Sequence, residues 1–167
     1  MVISLDKIKT LRDLTGAGIM DCKKALEDAK GDMATAEQTL KQKGIAKVAS
    51  KAGRVVKEGV VEAYIHSGSR IGAIVEVNCE TDFVGRLPEF RELAHNLSMQ
   101  VAAMAPFYVD QANMPPEDGR NPEEVCLMQQ PFIRDNSKSI KDLVTELAAR
   151  VGENVRVTRF ARFALGE

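Results

Sequence analysis

Tryptophan is absent from these 167 residues, and aromatic side chains make up only 5% of them. Leu, Ile, Val, Ala and Met must therefore fill whatever core the chain builds. Histidine occurs twice, at His66 and His95. Neither lies in a motif with a nucleophile, and GxSxG, P-loop and GxGxxG patterns are missing, so enzyme constellations are scarce. The three cysteines, Cys22, Cys79 and Cys126, are far apart and odd in number. Without CxxC or His-linked metal spacing they suggest neither a disulfide framework nor a zinc site, and free thiols in a reducing cytosol are the natural reading. No apolar stretch approaches the ~18 residues that span a bilayer. The opening MVISLDKIKTLRDL lacks a basic region followed by an apolar run, so no signal peptide is expected. These absences lead us to expect a cytoplasmic protein with no membrane association, no metal and no cofactor.

What is present is ordinary globular composition, 44% hydrophobic and 28% charged, with enough length to bury a core without staples. The net charge of -1 hides an asymmetry. Residues 1–57 carry 12 Lys/Arg against 7 Asp/Glu, and the remainder 11 against 17. The N-terminal part is thus suited to an acidic partner.

Periodicity divides the chain in two. Ser4 is a suitable N-cap, and Ile8, Leu11 and Leu14 form one apolar stripe. Thr15-Gly16-Ala17-Gly18 breaks that helix. A second helix is expected from about Ile19 to Lys30, with Ile19, Cys22, Ala25, Leu26 and Ala29 on one side. Gly31 ends it. Asp32 caps a third, lined by Met33, Ala36 and Leu40 and closed by Gly44. Three short helices joined by tight turns predict a three-helix bundle over 1–45. A basic helical linker follows over 46–57, and an α+β core domain over 58–167. In the core, Val61, Ala63 and Ile65, then Ala73, Val75, Val77 and Cys79, alternate with other residues around Ser67-Gly68-Ser69, which predicts a β-hairpin. Pro88 opens a helix carrying Phe90, Leu93, Ala94, Leu97, Val101 and Met104. Pro106 ends it, Phe107–Val109 reads as a short strand, and 111–122 as a polar loop. Val125–Met128 is a strand or a short helix. Ser139 and Asp142 form a capping box before an amphipathic helix closed by Gly152. Val155, Val157, Arg159, Ala161, Phe163 and Leu165 mark a last strand. The fold class is α+β: an N-terminal helical bundle, then a small antiparallel sheet with packed helices.

Candidate sites are few. His66 reads as a turn-adjacent surface residue and His95 as a helix-surface or partly buried one. Cys79, Asp82 and His95 can be drawn as a thiol triad, but Cys79 sits in the apolar row of its strand, where inert packing is expected. The stretch 41–57 holds six basic residues and no acid. It lacks the interleaved aromatics of a nucleic-acid surface, so a solvated or partner-facing helix is the better reading. Asn78-Cys79-Glu80-Thr81-Asp82-Phe83-Val84 leaves the second hairpin strand and turns before Pro88. There Phe83 either tucks into the core, with Thr81 or Asp82 capping the next helix, or stands out on a scaffolded loop.

TGAGIMDCKKALEDAKGDMATAEQTLKQKG at 15–44 resembles the opening of the elongation factor Ts family, and EVNCETDFV at 76–84 resembles its central signature. MQVAAMAPFYV at 99–109, QQPFIRD at 129–135 and the terminal RFARFALGE fit the same family, in order and along nearly the whole chain. The segment between Tyr108 and Glu124 is shorter than in members of usual length, so the chain resembles a short form lacking a helical insertion.

The resemblance implies a guanine-nucleotide exchange factor for the translational GTPase EF-Tu, bound in its GDP-loaded and nucleotide-free states, with no covalent chemistry of its own. It implies that the bundle is ubiquitin-associated-like and docks on the nucleotide-binding domain through Leu11, Arg12, Ile19 and Met20. For Leu11 and Ile19, bundle core remains the alternative. It implies that Thr81, Asp82, Phe83 and Val84 enter the GTPase beside its magnesium and phosphate site, and that Gln100 lies where a second GTPase domain is met. A homodimer is left open, and direct nucleic-acid binding is not expected.

Overall fold

A computed structural model describes residues 3–167. The chain divides into two compact units. One comprises the residues up to Gly53 with Ala148–Glu153, and the other Arg54–Leu147 with Asn154–Glu167.

The first unit is built on α1 (Leu5–Thr15), α2 (Ile19–Asp28) and α3 (Met33–Lys51). Ser4 caps α1 by accepting from the Lys7 amide, and Gly16 closes it in the left-handed region at φ 66°. The Asp32 carboxylate caps α3 through the Thr35 amide. Ile8, Leu11, Cys22, Ala25, Leu26, Ala36 and Leu40 form the core. Two expectations are corrected here. Leu14 leaves the predicted stripe and is 53% exposed. Each three-residue step slips about 60° around a helix of 3.6 residues per turn, so Ile8 and Leu11 face the core while Leu14 has rotated off it. Gly44 does not close α3, which runs on to Lys51. A helical glycine costs about 1 kcal/mol relative to alanine. Its missing side chain matters here because a Cβ would lie 3.0 Å from that of Ala149.

The second unit is a three-stranded antiparallel sheet, order β1-β2-β5, from β1 (Glu58–Ile65), β2 (Ile71–Cys79) and β5 (Arg156–Ala164). Helix α5 (Pro88–Met104) packs Phe90, Leu93, Ala94, Leu97 and Val101 over the buried row Ala73, Val75, Val77 and Cys79. On β1 the half-buried residues are Val60, Glu62 and Tyr64. The apolar row Val61, Ala63 and Ile65 faces outward instead. The expected alternation of β5 fails midway. Glu76 pairs with Arg159 but Val77 with Val157, so Thr158 is an extra residue in the strand. Such a bulge exchanges the two faces. Val155 and Val157 are buried before it, while Ala161 and Phe163 are exposed after it.

Elsewhere α4 (Asp82–Gly85) is a single turn between β2 and α5, and α6 (Pro122–Val125) is another. The expected strand at 107–109 is only an isolated bridge, Tyr108 with Cys126, and Leu127–Gln129 is a 3-10 turn. A two-stranded hairpin, β3 (Pro131–Phe132) and β4 (Asp135–Ser139), precedes α7 (Ile140–Val151). The Ser139–Asp142 capping box forms reciprocally: the Asp142 carboxylate accepts from the Ser139 amide and the Ser139 hydroxyl from the Asp142 amide. Among the described residues no helix is long and apolar enough to cross a membrane.

The bundle core yields two testable expectations. Leu11→Ala removes a side chain with no exposure and should lower unfolding free energy by about 2–5 kcal/mol in urea titrations. Hydrogen bonds from Thr35 hold the Asp32 carboxyl below its ordinary range. A depressed folded-state value means that this stabilisation is present above the ordinary carboxylate range and lost as pH falls through the lowered one. Asp32→Asn should therefore flatten the acid limb of the stability curve, as read by thermal melts between pH 2 and 6.

Candidate partner-binding site

The turn after β2 is held from several directions. The Thr81 hydroxyl accepts from the Val84 amide at 3.4 Å and caps α4. The Cys79 thiol, wholly buried, donates to the Thr81 carbonyl at 3.1 Å. Glu80 accepts from the Asn154 amide at 2.7 Å and pairs with Arg54 at 3.3 Å, and the Asn154 side chain donates to the Arg54 carbonyl. Asp82 and Arg86, one turn apart, form an ion pair at 2.6 Å. Both are exposed, so this pair contributes well under 1 kcal/mol and mainly orders the turn. Val84 is buried and anchors the segment inward.

Phe83 is 71% exposed on this anchored turn. The two readings left open by the sequence are thereby separated: Thr81 does cap a helix, and Phe83 does not enter the core. The segment is a helical turn rather than the open loop expected. Burying a phenylalanine is worth about 1.5–3 kcal/mol, so this side chain forgoes a stabilisation that the monomer never recovers.

The other predicted residues separate by depth. Leu11 lies at 0% exposure inside the bundle, whereas Ile19 and Met20 are 55% and 73% exposed and Arg12 is exposed. Leu5, at 82%, and Leu14 add to the exposed apolar surface of this unit and were missed by sequence reasoning. Gln100 is wholly buried. Its amide donates to Gln130 and to the Pro131 carbonyl, both at 3.1 Å, and accepts from the Ile133 amide at 3.0 Å. It ties β3–β4 to α5 and presents no surface of its own. The thiol triad does not assemble as drawn. Cys79 is engaged with Thr81, and His95 lies 3.4 Å from Glu62 with its ring edge-on to Tyr64. His66 meets the Tyr64 hydroxyl at 3.0 Å and is exposed. Among the described residues no group of three or more His, Cys, Asp and Glu could hold a metal ion.

The shortened segment has its own closure. Arg120 binds Asp118, which accepts from the Tyr108 hydroxyl at 2.9 Å, and the guanidinium stacks 4.1 Å above the Phe107 ring. The Arg120 hydrogen bonds hold the Asp118 carboxyl far below its usual range.

Comparison with known proteins covers nearly the whole chain. The family model described as Elongation factor TS matches residues 6–122 and 119–167, two stretches that meet inside the shortened segment. The chain is 48% identical to the elongation factor Ts of Thermotoga petrophila over 195 aligned positions, covering all of this chain and 98% of the relative. It is 46% identical to that of Carboxydothermus hydrogenoformans, covering 99% and 90%, and 44% identical to that of Moorella thermoacetica, covering 99% and 97%. An alignment of 195 positions against 167 residues leaves the first relative with additional sequence. With the family model spanning nearly every residue and these relatives covered almost end to end, the chain belongs to the elongation factor Ts family.

Proposed function

We propose that this chain is a cytoplasmic guanine-nucleotide exchange factor for the translational GTPase EF-Tu, acting by binding and without covalent chemistry. The observation that carries the reading is Phe83, 71% exposed at the tip of a capped turn whose base is fixed by Thr81, Cys79 and Val84. Such a side chain costs little further ordering on binding and is aimed before the partner arrives.

In this mechanism Asp82 and Phe83 enter the GTPase beside its magnesium and phosphate site. Phe83 wedges between partner helices, and Asp82 bonds to the displaced backbone or shapes the turn. Shifting the groups that position Mg²⁺ removes the charge neutralisation that holds the β-phosphate. The factor and the nucleotide weaken each other's binding reciprocally, so GDP leaves a ternary intermediate and the more abundant GTP refills the nucleotide-free complex. Ile19, Met20 and Arg12 supply the docking contact of the bundle, with Met20 as an adaptable anchor. Leu11 supports that surface from beneath, and Gln100 supports a second contact region by holding β3–β4.

Within the basic stretch, Lys47 pairs with Asp21, Lys51 donates to the Gly152 carbonyl, and Arg54 pairs with Glu80. These internal partners favour a solvated helix over a nucleic-acid surface.

We further propose that a second copy covers the open face of the sheet. Val61, Ile65, Ile74 and Phe163 are exposed there, 44–70% each, beside the Glu76–Arg159 pair at 2.7 Å. An apolar sheet face of this kind marks an interaction surface. Sedimentation velocity at micromolar concentration should show a dimer that Ile74→Glu dissociates, and a concentration-independent monomer would refute the pairing.

Phe83→Ala should keep the fold, by circular dichroism, and slow release of a fluorescent GDP analogue from EF-Tu by about tenfold or more at saturating factor, a loss of at least about 1.4 kcal/mol in barrier lowering. Wild-type release by this variant would defeat the wedge mechanism. Ile19→Asp/Met20→Asp should instead raise the half-saturating concentration and leave the maximal rate near wild type.

A further inference from the structure

The Phe83 turn rests on β1 through the close approach of two glycines. Gly85 is the last residue of α4 and is buried. A Cβ built on it would lie 3.4 Å from both the Cα and the carbonyl oxygen of Gly59, and 3.5 Å from its nitrogen. Gly59 is the second residue of β1 and pairs with Asn78 at the far end of β2. Its φ of +143° lies outside the range that L side chains adopt comfortably, and a Cβ there would fall 2.1 Å from the Val77 carbonyl oxygen and 2.7 Å from the Asn78 Cα. The two backbones therefore meet without side chains between them.

This contact fixes the height of α4 above the sheet. The turn has only four residues, and its position is otherwise set by the Thr81 cap, by Val84 and by the ties of Cys79 and Glu80 at the strand end. Those groups hold the start and the inner side of the turn. Gly85 is what lets the second half settle onto the edge strand. Phe83 lies between the two, so any lift at Gly85 rotates the ring about the Thr81 end. We propose that Gly85 is a positioning residue for nucleotide exchange, whose close contact with the Gly59 backbone seats α4 so that Phe83 projects at the depth the wedge requires. The inference rests on the wedge reading, and it adds that exchange depends on a contact made within this chain.

Substitutions of graded size test it. Gly85→Ala adds a methyl at ordinary van der Waals distance and should lower the maximal GDP-release rate less than Gly85→Val does. Gly85→Val drives γ-carbons into the Gly59 backbone, whereas Gly59→Ala would press on Val77 and Asn78 of β2 rather than on α4. Misplacing a wedge by about an ångström is expected to cost roughly tenfold or more. Gly85→Val should thus show a maximal GDP-release rate reduced by about tenfold, with the half-saturating factor concentration within about twofold of wild type. A general loss of structure would move the half-saturating concentration as well.

Gly59→Ala thus strains the β1–β2 pairing, and the decision rests on Gly85→Val combined with Phe83→Ala. If Gly85 acts through the ring, the double variant releases GDP no more slowly than Phe83→Ala alone; additive losses would show an independent structural effect and overturn the proposal. Wild-type release by Gly85→Val would overturn it equally. The failures are distinguishable. If Phe83→Ala itself releases GDP normally, the wedge reading falls. If Phe83→Ala is slow while Gly85→Val is normal, only the positioning role falls.

Discussion

The packing of α5 against the inner face of β1-β2-β5 is the constraint on which the rest depends. A three-stranded ribbon of 8–9-residue strands has two faces and two open edges, and alone it is only marginally stable. Phe90, Leu97 and Val101 cover Val75 and Val77, all at or near zero exposure, and so make one face a core. That decision fixes register, because a slip of one residue would send the β2 row Ala73, Val75, Val77 and Cys79 outward. It also fixes where the chain must turn. Strand β2 ends at Cys79 and α5 begins at Pro88. The few residues between them are clamped at both ends, so a short helical turn is held there with an aromatic side chain left outside the core.

The two units spend apolar surface differently. In the bundle, Ile8, Leu11, Cys22 and Leu26 are consumed by the core, and Leu5, Leu14, Ile19 and Met20 remain outside. In the sheet unit one face is consumed by α5 and the other remains apolar and open. Single exposed apolar residues are common on soluble proteins and by themselves argue little. What gives Phe83 its weight is rigidity: its turn is capped, its neighbour Val84 is buried, and the residues before it are tied to Asn154 and Arg54.

Much of this was legible in the residues. The caps at Ser4, Asp32 and Ser139 follow from local hydrogen-bonding chemistry, and they form where such side chains precede helical periodicity. The β1–β2 hairpin followed from alternation alone. Which row of β1 faced inward did not, since Val61, Ala63 and Ile65 look like a core row until α5 is placed over Glu62 and Tyr64. The bulge at Thr158 was equally silent, because it is a property of the pairing between strands. Of the candidate site, residue types and order pointed to 81–84, whereas exposure was undecidable from spacing. The burial of Gln100 was hidden for the same reason. A glutamine on a helix is usually solvated, and only the arrival of Gln130, Pro131 and Ile133 supplies its partners inside.

The segment between α5 and β3 shows how a short loop closes on itself. The chain leaves α5 through Ala105, in the left-handed region at φ 46°, and must return to the sheet side through β3–β4 and α7. What it needs is a base that closes, and loop-closure entropy favours a short loop only modestly over a long one. The base here is the Tyr108–Cys126 bridge, reinforced by the Phe107 and Tyr108 amides donating to the Val125 carbonyl and by the Leu127 amide donating to the Tyr108 carbonyl. Above it Arg120 both neutralises Asp118 and covers Phe107, so a charge and an aromatic ring are satisfied within the loop. Because that base involves neither Thr81 nor Val84 nor Gly59, the closure of this segment and the turn that presents Phe83 are held by separate contacts.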